Sequence, residues 1–178
     1  MRRHVTLALL FAFGLVVSGL VAGSLSAQAA EIRFPKTGPY AFIINLPPDW
    51  NSKEDDYGGL QIIAPDRASV IYLSMASDKE YMGVGRPLRD LATAIAKSAG
   101  ATLTDKQEPA TLSGITGEMF YGQMTNDRGT LLQVKMMIIP MAIEVAATQT
   151  ILTTENMSAA QRTALDQALR AISLTGKR

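Results

Sequence analysis

The sequence predicts an α+β fold, a single antiparallel sheet of about six or seven strands with helices packed on it. Three observations predict it. Apolar residues recur at every second position in a series of short stretches separated by turn residues. Two other stretches carry apolar residues at helical spacing. One strand, Thr130–Pro140, is apolar on both faces, which places it centrally in a sheet covered on both sides.

The first alternating stretch is Tyr40–Leu46, with Tyr40, Phe42, Ile44 and Leu46 on one face. It follows an extended lead-in over residues 30–39 and stops at Pro47 and Pro48, which offer no backbone donor to a ladder. Gly58–Pro65 and Ala68–Ala76 are the second and third strands, joined by the short turn "PDR" and therefore antiparallel. A helix opens at Pro87 and ends at Gly100, the asymmetric start and stop that helices favour. Leu88, Leu91, Ala92, Ile95 and Ala99 form its single apolar stripe, so it lies on the sheet with its other side wet. A weak strand near Lys106–Leu112 is followed by a clearer one at Ile115–Asn126. After the "NDRG" turn, Thr130–Pro140 and Ala142–Thr150 complete a meander bent at Pro140 and Met141. Ser158 and Gln161 have the spacing of a capping box and open a last helix with the stripe Leu165, Ala168, Leu169 and Ile172. "SLTGKR" reads as a frayed tail.

The N-terminus reads as an export signal. Arg2, Arg3 and His4 precede the apolar run "VTLALLFAFGLVVSGLV", and Ala27 and Ala29 occupy the A-x-A positions. Cleavage after Ala29 is expected, leaving residues 30–178 as one α+β domain with no membrane span, located in the periplasm or secreted. An uncleaved anchor is the alternative, since the run is nearly long enough to span. No cysteine is available for a lipid anchor.

Composition excludes more than it selects. The 178 residues hold no cysteine and one histidine, His4, which leaves with the signal. A disulfide, a thiol nucleophile, a Ser-His-Asp triad and metal sites built on His or Cys are thereby excluded. Arg2 and Arg3 also leave, so 15 of 17 Lys and Arg remain beside all 16 acids, a net charge of −1. A near-neutral chain without a basic run argues against nucleic acid and against a polybasic membrane patch.

What remains is carboxylate, Ser-Lys or tyrosine chemistry, hard-metal binding through oxygen, or no chemistry. Asp49, Glu54, Asp55 and Asp56 could offer oxygen ligands to Ca²⁺ or Mn²⁺, but lack the order of an EF-hand, and Lys53 sits among them. A solvated polar loop is the simpler expectation. Trp50 and Tyr57 flank this loop as an aromatic platform for a ligand or partner, or else Trp50 folds back into the core. "MGVGRP" over Met82–Pro87 has two glycines ahead of a helix but neither a third nor a P-loop lysine. The Ser-Lys pairs at Ser52-Lys53 and Lys97-Ser98 lack the spacing that would stack them on one helix face. Met119, Met124, Met136, Met137 and Met141 crowd the meander; Cu(I) could use thioethers, but strand periodicity makes them core filling.

The order of strands and helices resembles that of the PsbP-like family in the broad sense, including bacterial exported relatives of the DcrB type. The matching segments are "FIINLPPDW", "GGLQI", "PLRDLATAIAKS", "ITGEMFYG" and "SAAQRTALDQALRAISL". The resemblance implies an α/β/α-like sandwich and a role as an assembly or binding accessory; it carries over no catalytic residue. The expectation is an exported, periplasmic accessory or binding protein without catalytic activity, needing no cofactor, monomeric or weakly oligomeric, with another exported or envelope protein as partner. Its possible contact surface is Trp50, Glu54, Asp55, Asp56 and Tyr57. The alternative is a carboxylate- or hard-metal-dependent hydrolase working through the Asp49–Asp56 loop.

Overall fold

The structure, a computed structural model, describes residues 31–77 and 87–176. The expected signal segment and the Gly-Val-Gly loop before Pro87 lie outside the described residues. The elements in chain order are β1 (Ile32–Phe34), β2 (Tyr40–Ile44), β3 (Asn51–Glu54), β4 (Leu60–Ile63), β5 (Ser69–Ser77), α1 (Leu88–Ser98), β6 (Ala101–Leu112), β7 (Ile115–Thr125), β8 (Leu131–Ala142), β9 (Val145–Thr154), α2 (Ala159–Arg170) and β10 (Ile172–Gly176).

The strands form two antiparallel sheets, not the single sheet expected. A seven-stranded sheet has the order β3-β4-β5-β9-β8-β7-β6, and a three-stranded sheet has the order β1-β2-β10. The physical reason lies at Pro47 and Pro48. The first apolar strand stops before them, so it does not run on into the large sheet. β2 pairs instead with β1 on one side and β10 on the other, with Ile172 opposite Ile44 and Leu174 opposite Phe42. The supposed frayed tail is therefore a strand. Ile172 and Leu174 are buried while Ser173 and Thr175 are exposed, the period-two signature of a half-buried strand.

β8 is covered on both faces, as its sequence requires. On one face Met136 and Ile138 meet Leu91, Ala92, Ile95 and Ala96 of α1, together with Phe120 and Ala146. On the other, Met137 and Ile139 join the larger core, which includes Phe42 and Ile44 of the small sheet and Leu165 and Ala168 of α2. α2 begins as its sequence says. Ser158 Oγ accepts from Gln161 N at 3.2 Å and Gln161 Oε1 accepts from Ser158 N at 2.7 Å, so two helix-start donors are satisfied reciprocally.

Two strand ends differ from the reading of the sequence. β8 runs through Pro140 to Ala142, and its register shifts between Pro140 and Ala142. A bulge is where a strand tolerates the missing donor of proline. The weak strand near Lys106 extends over all twelve residues of β6, with a register shift between Leu103 and Gln107. β6 is an edge strand, and its bulge, its Pro109 and its charges Asp105, Lys106 and Glu108 are features that discourage pairing with another chain.

Candidate functional site

The acid corner is built by a tight hairpin. Asn51–Glu54, expected as loop, is the edge strand β3, paired antiparallel with β4 in the register Lys53 opposite Gln61. All four of its side chains are exposed, so it has no apolar face to betray it in the sequence. Asp55 closes the hairpin. Its Oδ1 accepts from Tyr57 N at 2.9 Å and from Gly59 N at 2.8 Å, and its Oδ2 accepts from the Tyr72 hydroxyl at 2.5 Å. A carboxylate that accepts two backbone N–H groups ahead of it in the chain is a turn scaffold. Burial of Tyr72, then its bond to Asp55, pushes the phenol well above its ordinary range.

The five residues marked out in the sequence do not converge. Trp50 is 8 % exposed and belongs to the larger core, whereas Tyr57 is 52 % exposed, so the two form no common platform. Glu54 bonds Lys36 at 2.8 Å, tying the hairpin to the segment between β1 and β2. Asp56 and Asp49 are exposed. Among the described residues, no group of three or more carboxylates is placed to share a metal ion.

A recess lies elsewhere among the described residues, on the α1 face of the large sheet. α1 has eleven residues and spans about 16 Å, whereas the twelve residues of β8 extend over about 40 Å. The helix therefore covers only part of this face. Beyond it Val70, Met124, Leu132, Val134 and Leu152 form a separate apolar cluster from β5, β7, β8 and β9. The register places Val70 opposite Leu152 and Leu152 opposite Val134, so these side chains share one face.

A partly open groove of about 360 Å³ sits at this end, floored by Val70, Leu132 and Leu152. Ser69, Thr130 and Thr154 add hydroxyls to its walls. Two turns form its sides. In the β4–β5 turn, Asp66 Oδ1 accepts from Ala68 N at 2.9 Å, and Arg67 takes a left-handed φ of 59°. In the β7–β8 turn, Asn126 Oδ1 accepts from Arg128 N at 3.0 Å and Thr130 N at 2.9 Å. Each turn is thus held by its own Asp or Asn side chain and carries an arginine into the lining, in which Asp127 is the one acid.

The sequence reading missed this site. Its signal was the Asp-Arg step repeated in the "PDR" and "NDRG" turns, which becomes meaningful only once both turns are known to lie at one end of one sheet.

No protein-family model and no curated protein matches the sequence. Solved structures do match its fold. LpqN of Mycobacterium tuberculosis, described as involved in cell envelope biogenesis, superposes with a TM-score of 0.53 at 19% identity, over 82% of this chain and 91% of that one. Cyanobacterial PsbP (CyanoP) of Synechocystis sp. PCC 6803 superposes with a TM-score of 0.51 at 12% identity, over 86% of this chain and 96% of that one. The chain has a PsbP-like fold. On this PsbP-like scaffold, the groove between the two Asp-Arg turns is a recess, among the described residues, in which an apolar floor and charged side chains come together.

Proposed function

We propose that the protein is an exported accessory or binding protein of the cell envelope, monomeric or weakly oligomeric, that acts on no substrate. The observation that carries this is the make-up of the groove. Its floor is aliphatic and its rim holds arginines, one aspartate and hydroxyl groups, without histidine, cysteine, lysine or tyrosine in the lining. That composition, apolar below and charged above, suits holding a molecule. The signal-like N-terminus, with its positive start, apolar run and small-residue site, supports export. The likeness in fold to LpqN, an envelope-biogenesis protein, and to PsbP supports an extracytoplasmic accessory role. No helix among the described residues is long and apolar enough to cross a membrane.

The hydrolase alternative needs a free carboxylate pair at Asp49–Asp56. Asp55 is engaged through both oxygens and Glu54 faces Lys36 in an exposed ion pair, which leaves Asp49 and Asp56 as the acids that this alternative would use.

The test is crosslinking in intact cells, followed by capture of the tagged protein from the envelope fraction. A discrete exported partner, captured reproducibly and lost from a cytoplasmically retained version, supports the proposal. Stoichiometric Ca²⁺ or Mn²⁺ in the purified protein, lost in an Asp56→Asn/Asp49→Asn variant, would overturn it in favour of the hydrolase.

A further inference from the structure

The groove has features that select one class of occupant. Its floor, Val70, Leu132 and Leu152, is aliphatic. They offer no hydrogen-bonding side-chain atom, so the bottom of the groove favours a hydrocarbon over a sugar or a nucleobase. At the mouth stand Arg67 and Arg128 with Asp127, so the lining itself carries a net positive charge, while Asp66, beside Arg67 in the same turn, lies outside the lining with one carboxylate oxygen bonded to Ala68 N. Among the described residues neither guanidinium makes an ion pair or a side-chain hydrogen bond. Both arginines are exposed, and both sit on turns fixed by Asp66 and Asn126. Two arginines without an ion-pair partner, carried on hydrogen-bonded turns beside an apolar floor, are complementary to one oxyanion attached to one apolar tail.

Volume sets the size of that tail. At about 30 Å³ for each water-sized group, a groove of about 360 Å³ has room for about a dozen heavy atoms. A ten-carbon carboxylate meets that limit. A two-chain phospholipid exceeds it, and a small inorganic anion would leave most of the groove unfilled.

We propose that the groove binds a single-chain amphiphilic anion, a medium-chain carboxylate whose tail lies on Val70, Leu132 and Leu152 and whose head meets Arg67 and Arg128. The assignment deepens the binding role proposed above and rests on it in one respect: the occupant is held, not converted. The hydroxyls of Thr130 and Thr154 line the same groove and offer donors to the head or to a water beside it.

The probes are decanoate, decanol and acetate, each titrated into the full exported protein below the micellar concentration. Binding is followed by calorimetry and by backbone amide shifts. Decanoate is expected to bind saturably and to shift the amides of Val70, Leu132 and Leu152. Decanol, with the tail alone, and acetate, with the head alone, are expected to bind more weakly. The Arg67→Gln/Arg128→Gln variant is expected to lose about tenfold or more in decanoate affinity while binding decanol unchanged. Thr154→Trp, which fills the groove, is expected to abolish binding of both. Equal affinity for decanoate and decanol overturns the assignment, as do shifts that map away from the groove or no binding at millimolar decanoate. Self-association that buries the groove and ignores decanoate, the mark of a second copy of the chain as occupant, also overturns it. Should decanoate fail while an envelope partner is still captured, the groove assignment falls and the accessory role stands. Should the protein release a product from a decanoyl ester, the accessory role falls instead.

Discussion

The Tyr72 hydroxyl donates to Asp55 Oδ2 at 2.5 Å and joins the β3–β4 hairpin to the third strand of the same sheet. Asp55 spends its other oxygen on two backbone amides of its own turn. One carboxylate therefore sets both the turn and its docking, while its neighbour Asp56 remains exposed. The acid corner owes its character to one residue.

A mutation pair separates scaffold from solvated charge. Asp55→Ala removes three accepted hydrogen bonds and is expected to cost about 1–3 kcal/mol in urea unfolding. Asp56→Ala is expected to stay within about 0.5 kcal/mol of wild type. Similar losses from both would show that Asp55 has no special place in the hairpin.

Gly59 is held to its identity by the same contact. A Cβ added there would lie 1.8 Å from the Tyr72 hydroxyl oxygen, and Tyr72 is only 4 % exposed. The ring must leave its place beside Asp55 for an alanine to fit. Gly59→Ala is expected to destabilise by about 1–3 kcal/mol, the usual cost of overpacking. In a Tyr72→Leu background, where the obstructing ring end is gone, the same change is expected to cost much less, a coupling that a double-mutant cycle measures directly. Equal costs in the two backgrounds would mean that the ring is not what excludes a side chain.

Tyr121 gives the fold an alkaline limit. Its hydroxyl donates to the Glu108 carboxylate across β6 and β7. That bond, followed by partial burial, pushes the phenol up from its ordinary 10 to about 12. The unfolded chain thus gives up this proton first as pH rises. The stability from the pair is fully present below about pH 10 and is lost as pH climbs through about 12. Tyr72, raised by burial and by Asp55, adds loss in the same direction. Unfolding followed from pH 9 upward is expected to show a falling stability whose slope is reduced, not abolished, in Tyr121→Phe. An unchanged slope in that variant would remove Tyr121 from the account.

What could be read from the sequence was local. Pro87 and Gly100 mark the ends of α1, Ser158 and Gln161 cap α2, and alternation locates β2, β4, β5 and β7 to β9, because each signal lies within a turn or two of chain. The second sheet was hidden, since Ile44 finds its partner Ile172 at the far end of the domain and no local pattern states that pairing. β3 was hidden because an exposed edge strand shows no apolar period. The groove was hidden for a topological reason: Arg67 and Arg128 become neighbours of one recess only through the order β4-β5-β9-β8-β7.

Gln149 is the polar residue that the core holds least well. It lies on central strand β9, 3 % exposed, on the face that meets the small sheet and α2. Its register partners are Leu73 on one side and Met137 on the other, both apolar. Among the described residues its Nε2 has no hydrogen-bond partner. A buried amide donor left unmade costs about 1–3 kcal/mol, whereas leucine fills much of the same volume with no polar atom to satisfy. Gln149→Leu is therefore expected to raise stability by about 1 kcal/mol or more, seen as a higher urea midpoint at unchanged slope. A lower midpoint would show that the Gln149 side chain is satisfied in solution, by a water or by its carbonyl, and that the core was built around it.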